Sequence, residues 1–352
     1  MTRRVLPVWS GERLTYVRPM AVIQALGYEP TYVNLPESNA RRERMMTAVP
    51  DQDGPVANPP VAAVPSTPEA ATALVTAWAF ELGADDLGIT TVDPAYVYDG
   101  ANLAHRYAVM VAMAMDYRAI AQAPSAHTNA EVMRVYADLA DLSNELARRI
   151  RELGFPARAQ TFAHEDLVFI PHAVAAGLGE LGKHGSLLSS RLGASIRLAA
   201  VTTDLPLITG EPTTARVADL CRNCSLCVDH CPGDAISHEP VIVRGVSRWL
   251  VDTDRCAPFW ASYHACAICL QVCPGTRVLA AARFGSYSSR RSRASTAMSG
   301  ATASGRGSSR ARGRRRSTSP EESQAPQARV PRLSGAGLAG GQARATNPRG
   351  FL

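Results

Sequence analysis

Eight cysteines lie between positions 221 and 273, and the other residues of this 352-residue chain include none. Disulfides that staple a secreted fold are spread along the chain, whereas here the first 220 residues hold no cysteine at all. Crowding of this kind points to metal ligation. Whatever else the chain folds into must be built around that cluster of thiols.

The first four, in CRNCSLCVDHCP (221–232), are followed by Pro232, and the last three, Cys266, Cys269 and Cys273, are followed by Pro274. Ferredoxin-type modules with two clusters use the three cysteines of one CxxCxxC loop for a 4Fe-4S cube. They take the fourth ligand, the one before proline, from the other half. A loop with two residues between ligands wraps one face of the cube and turns its N–H groups toward the sulfides, while the distant thiolate closes the opposite corner. On that logic Cys221, Cys224, Cys227 and Cys273 bind one cluster. Cys231, Cys256, Cys266 and Cys269 bind the other, with Cys256 standing further upstream than the simple pattern has it. Structural zinc favours paired CxxC motifs, often with histidine, and leaves the two prolines without a reason.

Two such clusters conduct electrons but transform no substrate by themselves. The roughly 200 preceding residues are too many for a simple ferredoxin and are expected to house an electron acceptor. The whole chain is 46% apolar, ordinary for a protein with a core, and no apolar run approaches the roughly 20 residues a membrane span requires. Arg3 and Arg4 are followed by charges and prolines where an export signal needs an apolar stretch, so the start reads as mature, cytoplasmic protein. The formal charge of +6 is misleading: within 285–352, thirteen arginines against Glu321 and Glu322 give +11, which leaves −5 for the rest. That basic stretch of Ser, Arg, Gly and Pro reads as a disordered tail. It is the only part of the chain with a composition suited to nucleic acid, and it gives no warrant for a nucleic-acid-binding fold.

Along the chain, residues 1–65 read as an irregular segment rich in proline. The spacing then predicts a helix from Pro68 behind a capping Thr67, a strand at 87–92 and a second strand at 107–114. A long helix follows from about Asn129, with Thr128 and Glu131 as a capping box and Gly154 and Pro156 at its end. Its buried stripe is Val132, Val135, Leu139, Leu142, Leu146 and Ile150. A strand at 157–162, a short helix running into a glycine-rich turn, and a strand at 194–203 complete residues 66–210. The alternation predicts an α+β or α/β sandwich, with a ferredoxin-like module of two 4Fe-4S clusters appended at 211–284.

Five stretches taken in order resemble a known family: GADDLGITTVDPAYVY (83–98), VAMAMDY (111–117), VYADLADLSNELARRIRELGFPARA (135–159), AGLGELGKHGSLLSSRLGASIRLAAVTTDLPL (176–207) and the cysteine block. The family is that of the corrinoid-dependent reductive dehalogenases, which are related to the epoxyqueuosine reductases. Glu180 in GLGELGKHG stands where that second group usually has an aromatic residue.

The resemblance implies a cobalamin-binding, nitroreductase-like core, with the corrinoid held against the nearer cluster and a small organohalide as substrate. Tyr136 matches the family's proton-donating tyrosine, Arg197 the basic residue that stabilises it, and His164 the neighbouring polar position. Gly177, Gly179, Gly182 and Gly185 would let backbone approach the corrin or its phosphate tail, and Lys183, the only lysine, would supply a charge to the cofactor's nucleotide loop. The family's fused reductase modules have no counterpart here, which implies a separate ferredoxin or flavodoxin-type electron donor. An epoxyqueuosine reductase-like tRNA-modifying enzyme and a degenerate iron-sulfur electron carrier are the alternatives, the latter because the sequence departs from the family pattern after Cys273.

Overall fold

Strand Tyr107–Ala114 (β2) is buried along nearly its whole length, as its unbroken apolar run requires. It pairs on one side with Asp86–Thr91 (β1) and on the other with Ile196–Thr203 (β4), and β4 pairs in turn with Ala157–Gln160 (β3). Every pairing is antiparallel, in the register Asp86↔Ala112, Tyr107↔Thr203 and Ala157↔Thr203. The arrangement therefore belongs to the α+β side of the sequence reading.

Antiparallel sheets commonly leave one face to water, and this one does not. Val109, Val111, Ala199 and Val201 pack into a core with Val75 and Ala79 of helix Pro68–Glu81 (α2) and with Val135, Leu139, Leu146 and Ile150 of helix Ala126–Glu152 (α3). Ala108, Met110, Ala112, Leu198 and Ala200 point the other way, into a second core with Leu167, Ala173 of helix Phe169–Ala175 (α4), Leu178 and Leu187. Alternation along β2 and β4 thus serves two apolar layers, which explains why these strands show no polar period.

The computed structural model describes residues 9–10, 13–14, 36–48, 52–60, 64–162, 164–213, 217–243 and 246–276. These all fall in one of the chain's two compact units, which spans 1–281 and 347–352. The tail expected over 285–352 lies outside the described residues. Among the described residues no helix is long and apolar enough to cross a membrane.

Two local readings change. The helix α3 starts one turn earlier than expected. Ser125 is its cap, its Oγ accepting from the Thr128 N–H at 3.1 Å, while the Thr128 hydroxyl donates to the Ala119 carbonyl at 2.8 Å. Glu131 is not part of a capping box: it accepts from the Asp116 N–H at 2.7 Å and pairs with Arg134. The segment 1–65 is also not wholly irregular, because Pro36–Thr47 (α1) is a helix that lies along α3. Its sequence is too polar to show a stripe. It is held by Met45 against Ala137 and Ala140, by Arg41 donating to the Ala130 carbonyl, and by Arg44 reaching Asp138 and Asp141.

Candidate functional site

A cavity of about 420 Å³ opens between the sheet and the cysteine-bearing segment. Helix α3 brings Tyr136 to its wall and β4 brings Arg197, the partner of Met113 across the ladder. Tyr136 stacks on Phe162 with ring centroids 4.3 Å apart, and the Arg197 guanidinium carbon lies 5.4 Å from the centre of the Tyr136 ring. The Nη1 of Arg197 donates to the Ile196 carbonyl at 3.0 Å, whereas its buried Nε has no protein partner among the described residues.

Arg197 acts on Tyr136 in the expected direction, favouring the phenolate, but burial works against ionisation and outweighs it, helped by the Glu165 charge. The phenol is therefore pushed above its ordinary value.

His164 does not line the cavity; its neighbours Phe162 and Glu165 do. Gln52 donates to the His164 carbonyl at 3.3 Å, and Asp166 is taken up by Arg158 at 2.7 Å. The resemblance thus points to a loop from which Phe162 and Glu165 reach the cavity wall.

The glycine run likewise divides. Gly177 and Gly179 lie away from the cavity: a Cβ on either would fall 2.5 Å from a backbone oxygen, of Glu211 and Leu188 respectively, so they are needed for packing rather than for a ligand. Gly182 is closed off by the His184 ring, where a Cβ would meet Cε1 at 2.7 Å. Gly185, at φ +77°, does line the cavity. Lys183 points to the cysteines and not into the cavity.

His184 went unnoticed in the sequence, where a lone histidine beside glycines gives no signal. It is buried on the cavity wall, and its Nδ1 accepts from the Ser186 N–H at 3.1 Å, which places the proton of the neutral ring on Nε2. That Nε2 has no protein partner among the described residues. Burial lowers its pKa from 6.5 to about 4. Because the folded value lies below the unfolded one, the unfolded chain takes up the proton first, and stability falls as pH drops from about 6.5 toward 4. Thermal unfolding midpoints should decline over that window, and His184→Gln should flatten the decline in part, since burial lowers the pKa of His105 and His172 as well. An unchanged slope in that variant would remove His184 from the account.

The opposite wall is made of cysteines. Cys231, Cys256, Cys266 and Cys269 all line the cavity; Cys221, Cys224, Cys227 and Cys273 do not. All eight are free thiols. Burial pushes Cys227 and Cys256 up to about 12 and raises Cys221, Cys266, Cys269 and Cys273 as well.

The mutual repulsion of the thiols sorts them. Cys227 feels Cys273, Cys221 and Cys224, and Cys273 feels Cys221 and Cys224. Cys256 feels Cys266 and Cys231, and Cys269 feels Cys266, Cys256, Cys227 and Cys231. Cys227 to Cys269 is the link between the groups.

Backbone N–H groups already face these sulfurs. Ala235 donates to Cys231 at 3.3 Å, Lys183 to Cys221 at 3.5 Å, Ile268 to Cys266, and Gly275 and Thr276 to Cys273. Residues 264–267 run through four consecutive left-handed conformations, φ +51° to +66°, a strained turn that side chains rarely adopt. Eight crowded thiols, two buried and six half-buried, with amides aimed at several of them suit thiolate-bound inorganic clusters. Among the described residues no trio of His, Cys, Asp or Glu is placed to grip a single ion. A cube with iron at separate corners does not need its ligands to converge on one point. On the cavity side, apolar walls with two unpartnered donors, Arg197 Nε and His184 Nε2, suit a large apolar ring fringed with carbonyl oxygens.

Known proteins resemble the chain in two parts. Residues 220–276 match the 4Fe-4S dicluster domain family. The chain is 35% identical over 176 residues to a tetrachloroethene reductive dehalogenase of Desulfitobacterium hafniense, a match covering 46% of this chain and 32% of that protein. An epoxyqueuosine reductase of Cyclobacterium marinum is 36% identical over 115 residues, 30% of this chain and 36% of its own. A solved reductive dehalogenase, studied for B12-dependent dehalogenation, superposes with a TM-score of 0.64 at 25% identity, over 74% of this chain and 41% of that one. The chain thus spans about a third of the length of the curated relatives it matches.

Proposed function

We propose that this chain, a homologue of the corrinoid-dependent reductive dehalogenases with a 4Fe-4S dicluster domain, is an oxidoreductase that removes halide from a small organohalide. In this reading Cys221, Cys224, Cys227 and Cys273 hold one 4Fe-4S cluster, and Cys231, Cys256, Cys266 and Cys269 hold a second. A cobalamin occupies the cavity within a nitroreductase-like core. The observation that carries the reading is the cavity itself, whose walls are Tyr136 and Arg197 on one side and all four thiols of the second group on the other. When bound, the clusters supply single electrons and the cobalamin a strongly reducing cobalt centre able to break a carbon–halogen bond.

The overall change is an organohalide, two electrons and a proton giving the dehalogenated compound and halide. The chain's own residues handle the proton. Burial keeps it on the Tyr136 hydroxyl at neutral pH, and Arg197, whose charge favours the phenolate, stabilises the side chain once the proton has gone. Phe162 fixes the phenol ring, and the apolar wall of Phe169, Ile170 and Leu198 excludes water. Electrons come from a separate ferredoxin or flavodoxin-type donor in the cytoplasm.

Reconstitution without oxygen, using iron, sulfide and hydroxocobalamin, should give about one cobalt per chain and halide release from chlorinated or brominated substrates under a low-potential reductant. Clusters without cobalt binding would instead mark an electron carrier. Restoration of queuosine in a deficient host would favour the epoxyqueuosine reductase reading, which the shared match to that family supports.

A further inference from the structure

Lys183 is the only lysine beside 36 arginines, and it is 4% exposed. A buried ammonium needs a partner, since ionised groups are costly to remove from water alone. Among the described residues no carboxylate forms an ion pair with it. Glu180, three residues earlier, accepts from the Val217 N–H through Oε2 at 3.0 Å, and its charge acts on Cys221 in the opposite direction to that of Lys183. The Nζ instead lies 5.2 Å from the centre of the buried Trp249 ring, a favourable seat for a cation but not a full counter-charge.

What lies beside Lys183 is the first cysteine group. Its own N–H points at the Cys221 sulfur from 3.5 Å, and its positive charge reaches Cys221 and Cys227. Neither Cys273 of the same group nor Cys256, Cys266 and Cys269 of the other feels it, so the charge sits on the Cys221 and Cys227 side. Four thiolates around an inorganic cube carry net negative charge, and an added electron increases it, so a nearby fixed cation favours the reduced form. The residue's backbone meets Cys221 and its charge reaches Cys221 and Cys227, both of the first group.

We propose that Lys183 is the counter-charge of the cluster held by Cys221, Cys224, Cys227 and Cys273, and that it raises the reduction potential of that cluster selectively. The proposal rests on the two-cluster reading above. It makes Lys183 a positioning residue for electrons, outside the cavity where the chemistry would occur.

The test is a redox titration of the full chain, loaded with iron and sulfide without oxygen and followed by paramagnetic resonance at low temperature. Lys183→Met keeps the stem against Trp249 and removes the charge. One cluster should become harder to reduce, with its reduced-to-oxidised ratio at a fixed potential falling about tenfold, a shift of about 59 mV for a one-electron couple, while the other stays in place. Lys183→Arg should recover most of the shift. Loss of about half the iron in the Met variant, restored in the Arg variant, would also support the assignment. A fully loaded Met variant with both potentials at parental values, or both displaced equally, would overturn it. If the parent chain itself binds no iron, the two-cluster reading fails and the proposal falls with it, an outcome visible in the metal content before any titration.

Discussion

A Cys269→Ser variant is expected to bind about half the iron of the parent chain and to lose reductive turnover by a factor on the order of a thousand or more. Cys269 is the thiol to choose because it lies on the cavity wall, is repelled by Cys231, Cys256 and Cys266, and is the member of its group that also feels Cys227. In the proposed assignment it stands where electrons cross from one cluster to the other and then to the cavity. Serine is close in size to cysteine and Cys269 only packs against the margin of one core, so the substitution should leave the sheet folded. The checks are iron and sulfide content, near-ultraviolet circular dichroism for the fold, and halide release. Full iron content together with parental turnover would remove Cys269 from the ligand set.

Tyr136→Phe should lower turnover about 10²- to 10⁴-fold, the range for loss of a positioned general acid, with iron and cobalamin content unchanged. Phenylalanine keeps the stack on Phe162 and the face presented to Arg197, so the substitution removes the hydroxyl and little else. The rate constant and its ratio to KM should fall together, as expected for an interaction made only in the transition state. The pH profile follows from the sign of the shift. An acid must be protonated to donate, and burial raises the Tyr136 pKa above its ordinary 10, so no loss of activity from this group is expected between neutrality and pH 10. A variant that turns over at the parental rate would show that the proton comes from elsewhere.

Much of this was legible in the sequence, and the reasons differ between elements. The strand β2 could be placed because an unbroken apolar run of that length has few other uses, β4 because IRLAAVTT is mostly apolar or β-branched, and the α3 stripe because 27 residues of helix repeat the same face over many turns. The cysteine spacing carried its own geometry. Helix α1 was not legible, since its burial rests on one methionine and a few arginines whose partners, Asp138, Asp141 and the Ala130 carbonyl, lie some 90 residues away. The cap of α3 was misread because two hydroxyls three residues apart, Ser125 and Thr128, both fit the local pattern, and only contact with the Ala119 carbonyl separates them.

In the cavity, the side chains from regular elements, Tyr136 and Arg197, were found, whereas those from loops were not. Helical and strand periodicity fixes which way a side chain points; the FAHED loop and the GKHGS turn have no such rule. The resemblance points to His164 and Lys183 in these segments, whereas Glu165 and His184 are the members that face the cavity. The glycines illustrate the same limit. Gly177 and Gly185 share a positive φ near +80°, yet only the second meets the cavity.

The claim beneath all of this is that two inorganic cubes share eight thiolates, one of them set against the cavity. Anoxically reconstituted protein should contain about eight iron and eight sulfide per chain and, on reduction with dithionite, give two magnetically interacting paramagnetic signals. Zinc in place of iron, or a single isolated cluster with about four iron per chain, would contradict it.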